Sequence, residues 1–517
     1  MTGTRSLLCL LSILIAMMSG TPAAQDPKTL LQAVAKNIGA DTLRCITYSG
    51  SGYVGIVGQN YTPRDDWPRL ELASYTKTVN FETRSAREEQ VRRQGNNPAR
   101  GGGGIPIQGD VRQIGMVSGN FAWSLQGVNA TPQPAAAQQR QLDLWLTPHG
   151  FVKLAMTAAN PVMLTRYEGG EGGGKERVTM ISVTALGKYR VNGTINANNV
   201  VERVQTWIPN AVIGDMYYET VYSNYKDFGA LKFPTRFHHH DDLDDESSGN
   251  PVIRGGHHGF DLTVKSVEAN ACGEPIAVPE AVRNATTPPV RVESQKLADG
   301  VYVMGGGSHN SIAVEFRDYV AMVEAPLNEE RSTAVIATIR KLIPNKPIDY
   351  VVNTHHHFDH SGGLRTYVHD EGSAIVTYRG NRDFYGIELF SLKVQRTLEP
   401  DRLALYPPEE TAEGYRFETV IEKYTLSDGT RTMDIHHVQG LNHVEGMLIA
   451  YLPKEKILVE ADMYNVPAPG TQAPPPTAAA RTLLNNVRRL KLDVATLAPI
   501  HGPVIPWSDF AKIVGSN

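Results

Sequence analysis

Seven consecutive residues, Thr354-His355-His356-His357-Phe358-Asp359-His360, carry imidazole and carboxylate groups in a His-x-His-x-Asp-His pattern. Imidazole nitrogen and carboxylate oxygen are the donors that suit zinc where no thiolate is present. Gly362 and Gly363 follow at once, so a tight turn after a strand can aim these side chains at one point. Two histidines in a loop are more often simply solvated, but the full pattern is far more specific. His356 falls outside the alternation and is read as an outer neighbour of the ligands or a solvent-facing ring.

This segment resembles the first metal-binding motif of the metallo-β-lactamase superfamily, and the family's remaining motifs occur in order. Gly440-Leu441-Asn442-His443 is similar to the family's histidine at the end of a strand, and a strand pair over 447–452 and 456–459 then leads to Asp462. Ala498-Pro499-Ile500-His501-Gly502 is similar to the terminal histidine motif, and the resemblance covers about residues 290–507. It implies that His355, His357 and His443 hold one metal, that Asp359, His360 and His501 hold a second, and that Asp462 bridges them. Two Zn2+ per chain are expected, with manganese or iron left open by the donor types.

Two cations sharing one water lower its pKa from near 15.7 to about 7. The resemblance therefore implies a hydrolase that uses a metal-bound hydroxide, with Asp359 orienting it and passing its proton to the leaving group. Similar sites cleave lactams, lactones, thioesters and phosphodiesters, so the motif does not choose the bond. The expectation is a small molecule with a carboxyl-type bond: a β-lactam, lactone or ester. The alternatives are a thiol-oxidising enzyme with one iron, or a hydrophobic-ligand carrier whose metal domain is structural. Two positions depart from the family pattern, Glu324 where Asp is usual and Ala461 where Gly is common, and neither is a ligand.

Other candidates are weaker. Tyr464 either donates to the developing oxyanion or packs its loop. His309, after Gly305-Gly306-Gly307, is read as a solvated loop histidine, with entry into the cleft as the alternative. Arg481, Arg488 and Arg489 are read as surface charges. His238-His239-His240, followed by several aspartates, reads as a charged hairpin tip, and the pairs at 257–258 and 436–437 are not counted as sites.

The elements that must position the motif alternate strand and helix: strands at 301–304, 312–316, 319–324 and 350–353, and a helix over 329–342. The region before it reads differently. A helix opens at Asp26 with Leu30, Val34 and Ile38 on one face, and alternating strands follow at 178–183, 189–195, 201–208 and 217–225. The fold class is thus α+β: a C-terminal αββα metallo-β-lactamase sandwich preceded by an antiparallel curved-sheet domain. The divisions are 1–24 signal peptide, 25–284 β-rich domain, 285–290 linker and 291–517 hydrolase domain. The opening helix, the sheet and the segment Asp227-Phe228-Gly229-Ala230-Leu231-Lys232-Phe233-Pro234 resemble LolA-like lipoprotein-carrier folds, which would imply a hydrophobic ligand; a scaffold or a homodimer contact is the plainer alternative. Biased stretches at 98–104, 131–140 and 168–175 read as loops. Segments 392–430 and 467–477 are expected to form the mouth of the cleft.

A chain of 517 residues is too long for one ordinary core, which agrees with two domains. Its net charge of −4 provides no broad basic surface for nucleic acid. Arg5, the apolar run 7–18 and the small residues Ala23 and Ala24 read as a secretory signal, too short for a bilayer span. A periplasmic or secreted protein without a stable membrane span is expected. Cys45 and Cys272, near the two ends of the first domain, are either a disulfide or two buried thiols.

Overall fold

The computed structural model describes residues 26–169, 175–242, 258–391, 394–407, 415–466 and 475–515. The predicted signal segment 1–24 lies outside them, as do most of the predicted mouth segment 467–477 and parts of 392–430. Among the described residues no helix is long and apolar enough to cross a membrane.

Asp26 starts the first helix, Pro27–Ile38: its side chain accepts from Thr29 N at 3.2 Å, and a proline with its preset φ occupies the first turn. Leu30, Leu31, Val34, Ala35 and Ile38 form the buried face. With the helix Pro148–Thr157 it contributes to one core with inward residues of an antiparallel sheet of thirteen strands. At the centre of that sheet Cys45–Gly55 pairs with His258–Ala269, the first strand with the last, and on either side every neighbour is also the next strand in sequence. Cys45 and Cys272 are joined as a disulfide beside this central pair, with Cα atoms 5.4 Å apart.

The segment 131–140 departs from the expected loop. Pro134–Ala136 and Ala137–Leu142 are helical, because Ala, Gln, Arg and Leu are good helix formers and Arg140 ties the turn to the carbonyls of Met116 and Trp123 at 3.0 and 2.7 Å.

The C-terminal domain is two stacked sheets between helices. The first contains Glu293–Ala298, Val301–Gly305, Ser311–Glu315, Val320–Val323, Ile348–Val352, Ala374–Tyr378 and Phe417–Val420; its first four strands are antiparallel and the rest join in parallel. The second runs from Lys423–Ser427 to Ile505–Pro506. Alternation divides the strands between two cores. Ile312 and Val314 pack with Leu448 and Leu458 between the sheets, whereas Ala313 faces the other way with Ile336 and Ile339 of the helix Glu329–Leu342. The segment Glu293–Ala298, not predicted as a strand, extends the sheet at its edge.

The two domains interlock. The core of the thirteen-stranded sheet is continuous with the helix layer over the first C-terminal sheet. Arg396 donates to the carbonyls of Asn210, Ala211 and Val212, and Asp215 accepts from Thr397 N at 2.8 Å and Leu398 N at 3.1 Å.

Candidate metal centre

The strand Ile348–Val352 ends just before the histidine motif, and the chain crosses buried residues before the short helix Phe358–Ser361 carries Asp359 and His360 back across it. Glu324 holds this turn from below. Wholly buried and at φ +78°, it accepts from Asn353 Nδ2 at 2.9 Å, from the Thr354 hydroxyl and from His360 Nδ1 at 3.0 Å. The longer Glu thus does reach the motif. Asp462 follows the strand Ile457–Glu460 at φ +58°, a conformation that Asp tolerates better than most residues.

Two donor groups result. His355, His357, His443 and Asp462 have ligand atoms within 4.8 Å of one another, and so do His309, Asp359, His360 and His501. Asp462 touches both. Its Oδ2 is 2.9 Å from His443 Nε2 and 3.6 Å from His355 Nε2; its Oδ1 is 2.8 Å from His501 Nε2 and 3.3 Å from His360 Nε2. The structure therefore brings all seven predicted ligand residues together.

The donor set fits a pair of cations. His355 Nδ1 lies 3.0 Å from the Thr354 hydroxyl, His360 Nδ1 is tied to Glu324, His501 Nδ1 lies 3.0 Å from the Ser308 carbonyl, and His357 Nε2 lies 2.9 Å from the Asn60 carbonyl. Each ring is held by one nitrogen and turns the other inward, an arrangement that fixes tautomer and orientation for metal binding. His443 Nε2 is buried 2.9 Å from Asp462 Oδ2, out of line for a hydrogen bond to it. His355 Nε2 and His357 Nδ1 face each other at 3.0 Å, and burial keeps both rings well below the usual imidazole pKa, in the neutral form that ligates. Asp359 is the half-open member. Burial raises its pKa, but the His309 hydrogen bond and the His360 charge outweigh that and hold the carboxyl below the ordinary range.

Sequence reasoning missed the residues that the first domain supplies. Gln59 Nε2 donates to Asp359 Oδ1 at 2.8 Å, and Asn60 meets His356 Nε2 through its side-chain oxygen at 3.1 Å besides meeting His357 through its carbonyl. Gly102, in a stretch expected to be a mobile loop, packs against the centre instead. A Cβ there would lie 2.7 Å from His357 Cε1, so glycine alone allows this approach. Gly102 N donates to the Gln59 carbonyl at 2.8 Å, and Gly101 N to the Asn442 carbonyl at 2.9 Å. These residue types carry no ligand signal, and some 300 positions separate Gln59 from the carboxylate it binds.

Three other expectations are corrected or sharpened. His309 is buried rather than solvated; its Nε2 lies 3.3 Å from Asp359 Oδ2 and its ring centroid 4.2 Å from that of His501. Tyr464 packs its loop: the ring stands edge-on to Phe510 at 4.9 Å within the core between the second sheet and its helices, and the hydroxyl has no hydrogen-bond partner among the described residues. His356 is buried on Asn60, and burial pushes its pKa down to about 3.

A two-sheet sandwich with this histidine and aspartate constellation at one edge defines a metallo-β-lactamase fold. Residues 304–501 match the family model of the metallo-beta-lactamase superfamily, and the C-terminal domain belongs to that superfamily. Among solved structures, the chain is similar to a metallo-beta-lactamase from Pontibacter korlensis, at 18% identity over 44% of this chain and 98% of that one, with a TM-score of 0.32. It is also similar to the metallo-beta-lactamase FIM-1 from Pseudomonas aeruginosa in its mono-zinc form, at 18% identity over 44% and 96%, TM-score 0.31. A third is an archaeal superfamily protein from Sulfolobus tokodaii, at 16% identity over 40% and 79%, TM-score 0.30. No curated protein matches the chain.

Proposed function

We propose that the protein is an exported hydrolase that holds two divalent cations, zinc by donor type, and cleaves a carboxyl-type bond of a small neutral substrate. The observation that carries this reading is Asp462, whose two oxygens each face a different donor group. His355, His357 and His443 would hold one ion, Asp359, His360 and His501 the other, and Asp462 both. When bound, the pair supplies Lewis acidity that activates water and polarises a carbonyl.

The chain's own part is orientation and proton handling. Gln59 pins one oxygen of Asp359, so the other faces His309 and His360 in a single pose, suited to taking a proton from water and returning it to the leaving group. Burial lowers the pKa of His309 against the opposing Asp359 hydrogen bond, which favours a neutral ring beside that carboxylate. Arg481, Arg488 and Arg489 are exposed, and Arg489 binds Asn486 Oδ1 at 2.8 Å, which supports a substrate without an anionic group to be matched there.

For the first domain the cavity chemistry supports a scaffold over a carrier. A cavity of about 450 Å³ on the sheet includes Lys77, Glu88 and Asp143 in its lining, and the Lys77–Glu88 pair at 3.0 Å would have to be covered by any apolar ligand. The disulfide supports export, since such bonds persist in oxidising compartments.

Metal analysis and a substrate panel test the proposal together. We expect close to two equivalents of metal at this centre and turnover of activated esters, lactones or β-lactams. Phosphodiester cleavage about tenfold above every carboxyl substrate, near 1.4 kcal/mol in barrier, would reject the bond class. A single tightly bound iron without zinc would reject the dinuclear reading.

A further inference from the structure

Three histidines of the first domain converge on two adjacent strands. In the strand Leu231–Asp242, alternation sends His238 and His240 to one face and His239 to the other. His240 stands directly across from His258 of the adjacent antiparallel strand, and His238 pairs with Asp261 one step along. The three ring centroids are 4.6 to 5.0 Å apart, and one nitrogen from each ring lies within 4.8 Å of the others.

The surroundings resemble those of a built ligand set more than a solvated hairpin. Asp261 Oδ2, itself buried, lies 3.2 Å from His238 Nδ1, and Glu219 Oε1, also buried, lies 3.5 Å from His240 Nδ1. Each carboxylate holds the Nδ1 side of a ring, which leaves Nε2 of His238 and His240 for another partner; metal-bound histidines have this pattern of outer carboxylates. Both carboxylates are held elsewhere too, Asp261 by Arg236 at 2.6 Å and Glu219 by Gln205 at 2.6 Å, so they are fixed before any cation arrives. His258 is fixed through its backbone, whose N–H donates to Asp66 Oδ1 at 3.1 Å, while its own Nδ1 is buried without a hydrogen-bond partner among the described residues.

We propose that His238, His240 and His258 form a second metal site, separate from the centre on the C-terminal domain, that takes one Zn2+ or a similar nitrogen-preferring divalent ion. With three protein ligands the fourth position stays open to water or an exogenous donor. Such an ion clasps the strands Leu231–Asp242 and His258–Ala269 across a sheet that also holds the disulfide.

The test uses the untagged mature chain with His355→Ala, His360→Ala, His443→Ala and His501→Ala, which leaves only two donors in each group of the other centre, stripped of metal and titrated with Zn2+ alone. We expect about one equivalent to bind and the melting temperature to rise with it. His240→Gln and His258→Gln, each on partly exposed strand positions, should weaken binding by more than about tenfold and abolish the thermal shift, while His369→Gln on a helix of the other domain leaves both unchanged. A zinc absorption-edge spectrum should report imidazole ligation. Absent binding, or binding that survives both His240→Gln and His258→Gln, overturns the proposal; either result leaves the dinuclear reading of the other centre intact.

Discussion

Gln59 Nε2 reaches Asp359 Oδ1 at 2.8 Å, so a loop of the N-terminal sheet fixes the one carboxylate of the histidine motif that is open to the cleft. A hydrogen bond to a charged group contributes about 1.5–3 kcal/mol. Gln59→Ala should therefore lower kcat/KM about tenfold or more and the melting temperature by only a few degrees, while metal content holds because the ligand atoms themselves remain. Parallel metal analysis and kinetics check this. Unchanged kinetics would mean that the loop is only a cover.

The bridging position should be far more sensitive. Asp462→Asn keeps the side-chain shape and a residue type that accepts φ +58°, but it loses the second charged oxygen that faces the second donor group. We expect the loss of more than half of the bound metal and of measurable hydrolysis, with far-ultraviolet circular dichroism unchanged because the sandwich core lies elsewhere. His443→Ala should do the same. Full activity of both variants after chelation would contradict a dinuclear centre.

The bond between Cys45 and Cys272 spans 227 positions and encloses almost the whole first domain. Closing so long a loop stabilises by about 2–4 kcal/mol, chiefly by restricting the unfolded chain. The double variant Cys45→Ser/Cys272→Ser should unfold at lower denaturant, and reductant should shift the wild type to the same midpoint without moving the variant.

His149 lends the first domain a dependence on pH. Its ring is wholly buried, stacked on Phe233 at 5.4 Å with Nε2 on the Ile38 carbonyl at 3.0 Å, and burial pushes its pKa down to about 4. The unfolded chain takes up this proton near pH 6.5 and the folded chain does not until about pH 4. Stability from the neutral ring is therefore present above pH 6.5 and lost as pH falls toward 4, by about 3 kcal/mol in all. Denaturation of wild type and His149→Gln at pH 7.5 and pH 5 should show a smaller acid loss in the variant.

Much of the C-terminal domain was legible because its signals are local. Val335, Ile336 and Ile339 recur at helical spacing, and the helix spans Glu329–Leu342 as expected. The first-domain strand Tyr189–Ile195 also has its predicted bounds, since β-rich alternation sits between turn residues. The segment 131–140 failed because composition marked it as a loop while the tie from Arg140 to two strand carbonyls, invisible in sequence, made it helical.

The sequence by itself determined the donor types, their order and the turn that gathers His355, His357, Asp359 and His360, because those contacts span few residues and follow from spacing. Only the tertiary structure decided what surrounds them. Whether Tyr464 faces the cleft or Phe510, whether His309 is buried, and whether Gln59, Asn60 and Gly102 reach the motif all depend on how two domains pack. His258 joins His238 and His240 only through the pairing of its strand with theirs. Contacts between residues hundreds of positions apart leave no periodicity in the chain, and amide or glycine positions show their role only when a neighbouring backbone closes on them.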